Sequence, residues 1–310
     1  MRKILFYTIL IVLISLIIYV AINFRSGINT LRPSDGQEIL AYEPIKEKLD
    51  QKTNYFTWIG QATILLNIND RNILFDPIFS ERASPFTFFG PKRTIPPVIQ
   101  IENLPIIDLI FISHNHYDHL DIPSLKALQN RFPDVIINVP KGDKKLLVRE
   151  ELENINEYEW WQTTKIYDLK IVFTPTNHWS ARTLFDRNES LWGGWFLETE
   201  NYSILHIGDT AKDSVYEEYS SRLSDIDVTF MPIGSYLPRN IEAEYHVDPY
   251  EAIEIVQTIN TKFAYGIHWG GIFFQQEPTY EPLEIIENER MLNAELKFYT
   301  PLPGEIIDLP

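Results

Sequence analysis

Ile112-Ser113-His114-Asn115-His116-Tyr117-Asp118-His119-Leu120-Asp121 closes an apolar run, Ile106 to Ile112, and packs three imidazoles and two carboxylates into eight residues. Groups this costly to desolvate do not gather by accident of packing, and together they call for a cation. In a tightly turning loop His114 and His116 point one way while Asp118 and His119 reach a neighbouring position, so one segment begins two adjacent metal sites. Imidazole mixed with carboxylate oxygen suits zinc, and also manganese or iron.

The loop cannot complete two sites alone. His178 follows the run Ile171 to Thr174, Asp209 follows Leu205 to Gly208, and His268 follows Phe263 to Ile267. Each stands at the carboxyl end of its run, where an α/β sheet gathers ligand-binding groups. Phe56 to Ile68 and Ile73 to Phe75, separated by the turn-forming Asn69-Asp70-Arg71-Asn72, predict a hairpin. Further strand-like runs lie at Val135 to Val139, Leu169 to Phe173, Trp195 to Leu197, Ser203 to Ile207 and Val228 to Met231. A helix is predicted from Asp248, with Pro249 at its first position, Glu251 three residues past the cap, and Ala252, Ile255, Val256 and Ile259 on one face. Strands interleaved with helices predict an α/β protein with a sheet buried on both faces. His206, inside an apolar run, is expected to be a packed strand residue.

The chain has 310 residues, and its 43 acidic against 27 basic side chains give a net charge of −16. That balance argues against nucleic acid as a partner, because phosphate affinity rests on clustered Lys and Arg. Cysteine is absent, which removes disulfides, thiolate ligands and cysteine nucleophiles. Ile4 to Ile22 is apolar except for Thr8 and Ser15, long enough to cross the bilayer and without an A-x-A cleavage pattern, so a single-pass N-terminal membrane anchor is expected. The expected division is residues 1–24 as transmembrane anchor, 25–53 as linker with a peripheral helix at Glu43 to Leu49, and 54–310 as the globular domain that holds the metal-site residues. Arg2 and Lys3 before the span nearly balance Arg25 and Arg32 after it, and the expectation leans to an extracytoplasmic body.

The HxHxDH segment, His178, Gly208-Asp209-Thr210 and His268 together resemble the metallo-β-lactamase superfamily of binuclear hydrolases. Trp58-Ile59-Gly60, Asp76 to Ser80, Gly90 to Arg93, Trp192 to Trp195, Pro232 to Gly234, His246 to Pro249 and Ile267 to Gly270 resemble one branch, the N-acylphosphatidylethanolamine-hydrolysing phospholipase D family. The likeness covers about residues 55 to 300. It implies an αβ/βα four-layer sandwich, here preceded by the transmembrane helix, and two zinc ions per chain, with manganese or iron as alternatives. By the same resemblance His114, His116 and His178 hold one ion, Asp118, His119 and His268 the other, and Asp209 bridges them.

A hydroxide shared by two such cations would exist near neutral pH, and the resemblance implies its attack on phosphorus, with N-acylethanolamine and phosphatidic acid as the expected products. Asp118 and Asp209 thus carry catalytic as well as ligand roles, and His246 is the candidate for contacting the phosphate or protonating the leaving group. Asp76 and Asp121 are read as carboxylates that orient ligand imidazoles. Gln61 stands where the family commonly has histidine, which puts any acid–base role there in doubt. Phe86, Phe88 and Phe89 are expected as an apolar lip for acyl chains, and Tyr236 and Arg239 as pocket lining. The expected partners are a phospholipid or other phosphodiester and the membrane, and a homodimer is compatible with the sequence. A lactonase or other ester hydrolase using the same metals is the second reading, and a non-catalytic membrane-tethered binding protein the third.

Overall fold

The computed structural model describes residues 39–43, 49, 53–271 and 276–310. Strand periodicity decides its layering. Along β1 (Tyr55–Gly60), β2 (Thr63–Ile68) and β3 (Arg71–Phe75), neighbouring side chains enter different cores. Phe56, Trp58, Ile64, Leu66, Ile73 and Phe75 join one cluster, whereas Tyr55, Ile59, Leu65 and Leu74 join another. Alternation with both faces apolar is what a sheet covered on two sides requires.

The expected hairpin over Phe56 to Phe75 is a three-stranded antiparallel meander. The run from Phe56 to Ile68 is cut at Gly60 and Gln61, whose φ angles of 124° and 52° turn the chain back on itself. Asn69 and Asp70, at φ 48° and 60°, make the second turn, as the polar cluster predicted. Strands β4 (Leu109–Phe111), β5 (Ile136–Pro140) and β6 (Ile155–Tyr158) continue the sheet in parallel. A second sheet runs β7 (Thr163–Ile166), β8 (Leu169–Thr174), β9 (Gly194–Glu198), β10 (Ser203–His206), β11 (Val228–Pro232), β12 (Phe263–Ile267) and β13 (Phe298–Tyr299) in spatial order, again antiparallel first and parallel after β10. Strand β14 (Ile306–Asp308) returns to pair with β1.

The two sheets face each other across Phe56, Phe75, Phe111, Phe173, Trp195 and Phe230. Helices α1 (Ile122–Arg131) and α2 (Lys144–Arg149) cover the outside of the first sheet, burying Leu125, Leu128 and Leu147 with Ile110, Ile112 and Ile137. Of the remaining helices, α3 (Tyr219–Arg222) and α4 (Arg239–Glu242) are single turns. The outer cover of the second sheet comes from α5 (Pro249–Thr258) and α6 (Glu281–Leu292), through Ala252, Ile255, Val256 and Ile286. The predicted start of α5 is present in full: Asp248 accepts from the Glu251 backbone N–H at 2.9 Å, and the Glu251 carboxylate accepts from the Asp248 N–H at 3.2 Å. Helix, sheet, sheet and helix make the four layers expected.

His206 is fully buried, stacks on Phe75 at 4.7 Å between centroids and bonds the Ala62 carbonyl through Nε2 at 3.0 Å, as a packed strand residue. Among the described residues no helix is long and apolar enough to cross a membrane. The anchor expected at 1–24 lies outside the described residues, as does most of the helix expected at Glu43 to Leu49.

Candidate metal centre

Five strand ends deliver the centre to one edge of the sandwich. Asp76 follows β3, the His114 to His119 loop follows β4, His178 follows β8, Asp209 follows β10 and His268 follows β12. Gln61, Asp76 and His268 hold left-handed backbones at φ 52°, 40° and 68°. Such conformations cost energy in non-glycine residues and persist where the surroundings impose them, commonly at ligand sites.

The first group is all imidazole. His116 Nδ1 lies 2.8 Å from His114 Nε2 and 3.2 Å from His178 Nε2, so three ring nitrogens converge on one point. Four donors around a zinc with bonds of about 2.0 Å stand roughly 3.3 Å apart, close to this spacing. Hydrogen bonds on the far side of the rings fix which nitrogen carries the proton. His178 Nδ1 donates to the Tyr245 carbonyl at 3.0 Å, which leaves the Nε2 lone pair facing the centre. Ser113 Oγ donates to Asp76 at 2.7 Å and therefore accepts from His114 Nδ1 at 3.0 Å, which aims His114 Nε2 inward too. Burial depresses all three rings, His116 to about 4, so they are neutral at pH 7, as ligands must be.

Asp118, His119, Asp209 and His268 form the second group. His119 Nε2 is 3.1 Å from Asp209 Oδ2 and 3.6 Å from Asp118 Oδ2, and His268 Nε2 is 3.1 Å from Asp209 Oδ1 and 3.7 Å from Asp118 Oδ2. Asp209 also reaches His178 Nε2 at 3.8 Å, so it touches both groups. Its Oδ1, for all the nearness of His268 Nε2, accepts no well-aligned hydrogen bond, and the Nδ1 of His246 is likewise buried without one among the described residues, which a bare polar pocket does not tolerate cheaply. Asp76 accepts a hydrogen bond from His119 Nδ1–H at 2.8 Å in a fully buried pair, pointing Nε2 at the centre. Burial opposes charge on His119, but Asp209, Asp118 and Asp76 outweigh it and hold the ring well above its ordinary range. Burial likewise opposes charge on Asp118 and Asp209, and the neighbouring imidazoles, His119 foremost, keep both ionised. Three neutral rings in the first group, ionised carboxylates around His119 in the second and orphaned buried acceptors make a donor set that fits two divalent cations sharing Asp209.

The fold and this geometry agree with the comparisons. Residues 71–269 match the family model described as a Beta-lactamase superfamily domain. An uncharacterized protein of Mycobacterium tuberculosis is 32% identical over 260 residues, covering 81% of this chain and 68% of its own. The chain belongs to the metallo-β-lactamase superfamily of metal-dependent hydrolases. The N-acyl-phosphatidylethanolamine-hydrolyzing phospholipase D 1 of Caenorhabditis elegans is 33% identical over 226 residues, covering 70% of this chain and 64% of the nematode protein, so the chain spans less than two thirds of that relative's length. The crystal structure of an isothiocyanate hydrolase from Delia radicum gut bacteria superposes with a TM-score of 0.67 over 82% of this chain and 98% of its own at 19% identity, a likeness of fold alone.

Above the centre opens a cavity of about 740 Å³, floored by His116, Asp118, His178, Asp209 and His268. His246 stands beside it, its Nδ1 3.9 Å from Asp209 Oδ2, with burial holding the ring at about 4 and hence neutral. Trp179, Arg187, Leu184, Ile241, Glu242 and Tyr245 form walls that sequence reasoning passed over. Arg187 lies over the Trp179 ring at 4.2 Å, carrying a positive charge to the wall. Nothing in the order of residues marked these, since they meet only when the loops after β8 and β11 close on each other.

Other expected residues sit elsewhere. Asp121 accepts from the Ser80 N–H at 3.3 Å and from Ser124 Oγ, rather than from a ligand imidazole. Tyr236 donates to Glu281 at 2.6 Å, and Arg239 bonds the His246 carbonyl at 2.9 Å and Glu251 at 2.7 Å, so neither lines the cavity. Arg239 instead pins the backbone that carries His246. Phe86, Phe88 and Phe89 are exposed at the tip of a hairpin whose base residues Ala83 and Pro91 line the cavity. Gln61 lies behind the second group and is treated below.

Proposed function

We propose that this chain is a binuclear zinc phosphodiesterase of phospholipase D type, cleaving N-acylated ethanolamine phospholipids to N-acylethanolamine and phosphatidic acid. The observation that carries the reading is the pair of donor groups joined through Asp209 at the floor of a cavity with apolar walls. Cations held there lower the pKa of bound water and neutralise charge developing on phosphoryl oxygens. His114, His116 and His178 would hold one and Asp118, His119 and His268 the other, with Asp209 between them. Neutral His246, beside Asp209, offers its ring to a phosphate oxygen or to the leaving alcohol, and Arg239 keeps that ring in place through its backbone carbonyl.

The substrate class rests on the walls and on the nematode relative's name. Leu184 and Ile241 line the cavity and are 93% and 55% exposed, and Phe185 beside them is 90% exposed, so the mouth presents apolar side chains where acyl chains would lie. An N-terminal anchor at 1–24 would hold that mouth at a bilayer.

The test is the detergent-solubilised full chain, loaded with zinc, on N-acylphosphatidylethanolamine, with an Asp118→Ala, His119→Ala double variant as control and mass spectrometry of both products. Both products from the native chain and neither from the control support the reading. A folded protein carrying two metals that yields neither defeats the lipid assignment, and lactones and other esters follow as substrates.

A further inference from the structure

Among the described residues around the second group, Gln61 has a side chain to which the ligand scheme gives no work. It is fully buried. Its backbone is clamped at φ 52°: the carbonyl accepts from Trp58 Nε1 at 2.7 Å and from the His268 N–H at 3.0 Å, tying the β1–β2 turn to the end of β12. The clamp drives the carboxamide into the group that holds Asp118 and His268. Its terminal Nε2 lies 2.9 Å from Asp118 Oδ2 and 2.7 Å from His268 Nε2. A Cβ on Gly271 would come within 2.1 Å of Gln61 Oε1, so the amide occupies space that only a residue without a side chain leaves open.

These distances suit hydrogen bonds from the amide, and they equally suit a ligand atom. Adjacent donors on a six-coordinate cation with bonds of about 2.1 Å stand about 3 Å apart. The amide end is that far from two atoms that the second cation would use. As nitrogen it would set its hydrogens on the very lone pairs the cation needs, since an amide NH₂ only donates. The two ends of a carboxamide exchange by a half-turn about its last bond and are assigned from their partners. With a cation between Asp118 and His268, the partner that belongs at this spot is an acceptor oxygen.

We propose that Gln61 is a ligand of the second cation through its carboxamide oxygen, raising that site from four donors to five and making it richer in oxygen than the imidazole-only first group. The inference rests on the two-cation reading of the centre. It assigns Gln61 a part in metal binding that needs no titratable group.

The experiment titrates the metal-free full chain in detergent with Co²⁺, followed by visible absorption and calorimetry, with Asp118→Ala marking which equivalent belongs to the second site. Gln61→Ala is expected to weaken that equivalent by at least about tenfold, since even partners one step outside the ligand shell are worth about 10–100-fold. Its absorption should intensify as the coordination number falls, and Gln61→Glu, which restores an oxygen, should return both affinity and spectrum toward native. Circular dichroism of the metal-free variants confirms that they are folded, and Gly271→Ala, which pushes the amide aside while leaving Gln61 in the chain, should repeat the loss. A second equivalent bound by Gln61→Ala as tightly as by the native chain, or more tightly, with an unchanged spectrum, overturns the assignment and leaves two cations standing. A native chain that takes up only one equivalent overturns both.

Discussion

Replacing Asp76 by Asn tests whether the centre depends on a carboxylate that never meets the substrate cavity. The Asp76 carboxylate is fully buried and accepts three hydrogen bonds: the Ser113 N–H at 2.7 Å on Oδ1, and Ser113 Oγ at 2.7 Å and His119 Nδ1 at 2.8 Å on Oδ2. Asparagine keeps the volume but turns one oxygen into a donor. If the amide nitrogen takes the place of Oδ1, the Ser113 N–H faces another donor, and an orphaned buried donor costs about 1–3 kcal/mol of stability. If it takes the place of Oδ2, His119 loses the acceptor that fixes its tautomer, and its inward nitrogen acquires the proton that blocks a cation. Loss of such an orienting partner is worth about 10–100-fold in metal affinity, or about 1.4–2.7 kcal/mol. The first group should suffer far less, because His116 and His178 make no contact with Asp76 and His114 reaches it only through Ser113 Oγ. Competition of the metal-free chain with a chromophoric chelator for Zn²⁺ resolves the two equivalents, and thermal unfolding reports stability. Two equivalents as tight as native, at native stability, would refute the argument; so would equal weakening of both.

Asp143 is almost completely buried and pushed up to about 7 by burial, against hydrogen bonds from Ser190 and Asn115. Its folded pKa stands above its unfolded value, so the stabilisation it gives is complete below about pH 4 and lost as pH rises through about 7; Asp143→Asn should gain on the native chain between pH 5 and 8, with a ceiling of about 4 kcal/mol, and urea unfolding at both pH values checks it. Gly193→Ala would set a Cβ 2.1 Å from the Thr174 carbonyl oxygen, a backbone atom that cannot yield, and should lower stability by about 3 kcal/mol or more in a thermal melt; a native-like melting temperature contradicts the packing. Leu184→Asp with Phe185→Asp, both at exposed positions, should leave metal content native while cutting turnover of vesicle-borne substrate more than that of a short-chain soluble one; equal effects on both substrates would remove these side chains from the lipid-facing mouth.

The centre was legible in the sequence because its chemistry is carried by scarce residue types at strand ends. Histidine and aspartate at His114, His116, Asp118 and His119 are costly to bury, so their crowding into one turn has few causes, and sheet topology then supplies His178, Asp209 and His268 at the same edge. The layering followed for the same kind of reason. Alternating apolar runs in β1 to β4 report burial on both faces, but the turn at Gly60 and Gln61 escaped, since a two-residue reversal within an apolar stretch leaves the composition unchanged, and so did the short strands β6, β7, β13 and β14.

The walls obeyed no such rule. Tyr236 and Arg239 sit in a segment close to the active site, yet Tyr236 turns to Glu281 and Arg239 to Glu251, because a half-buried carboxylate within reach and not the cavity decides where a long polar side chain goes. Trp179, Glu242 and Tyr245 reach the cavity from two loops far apart in the chain, brought together by the bond from His178 Nδ1 to the Tyr245 carbonyl. That bond orients a metal ligand and seats a cavity wall at once. Geometry at the imidazole group and pocket shape are therefore coupled at Tyr245, so a change that moves this loop would alter substrate fit and the affinity of that group for a cation together. The reaction type is written in the ligands, which local sequence reveals, whereas the substrate is written in the meeting of loops, which only the folded chain displays.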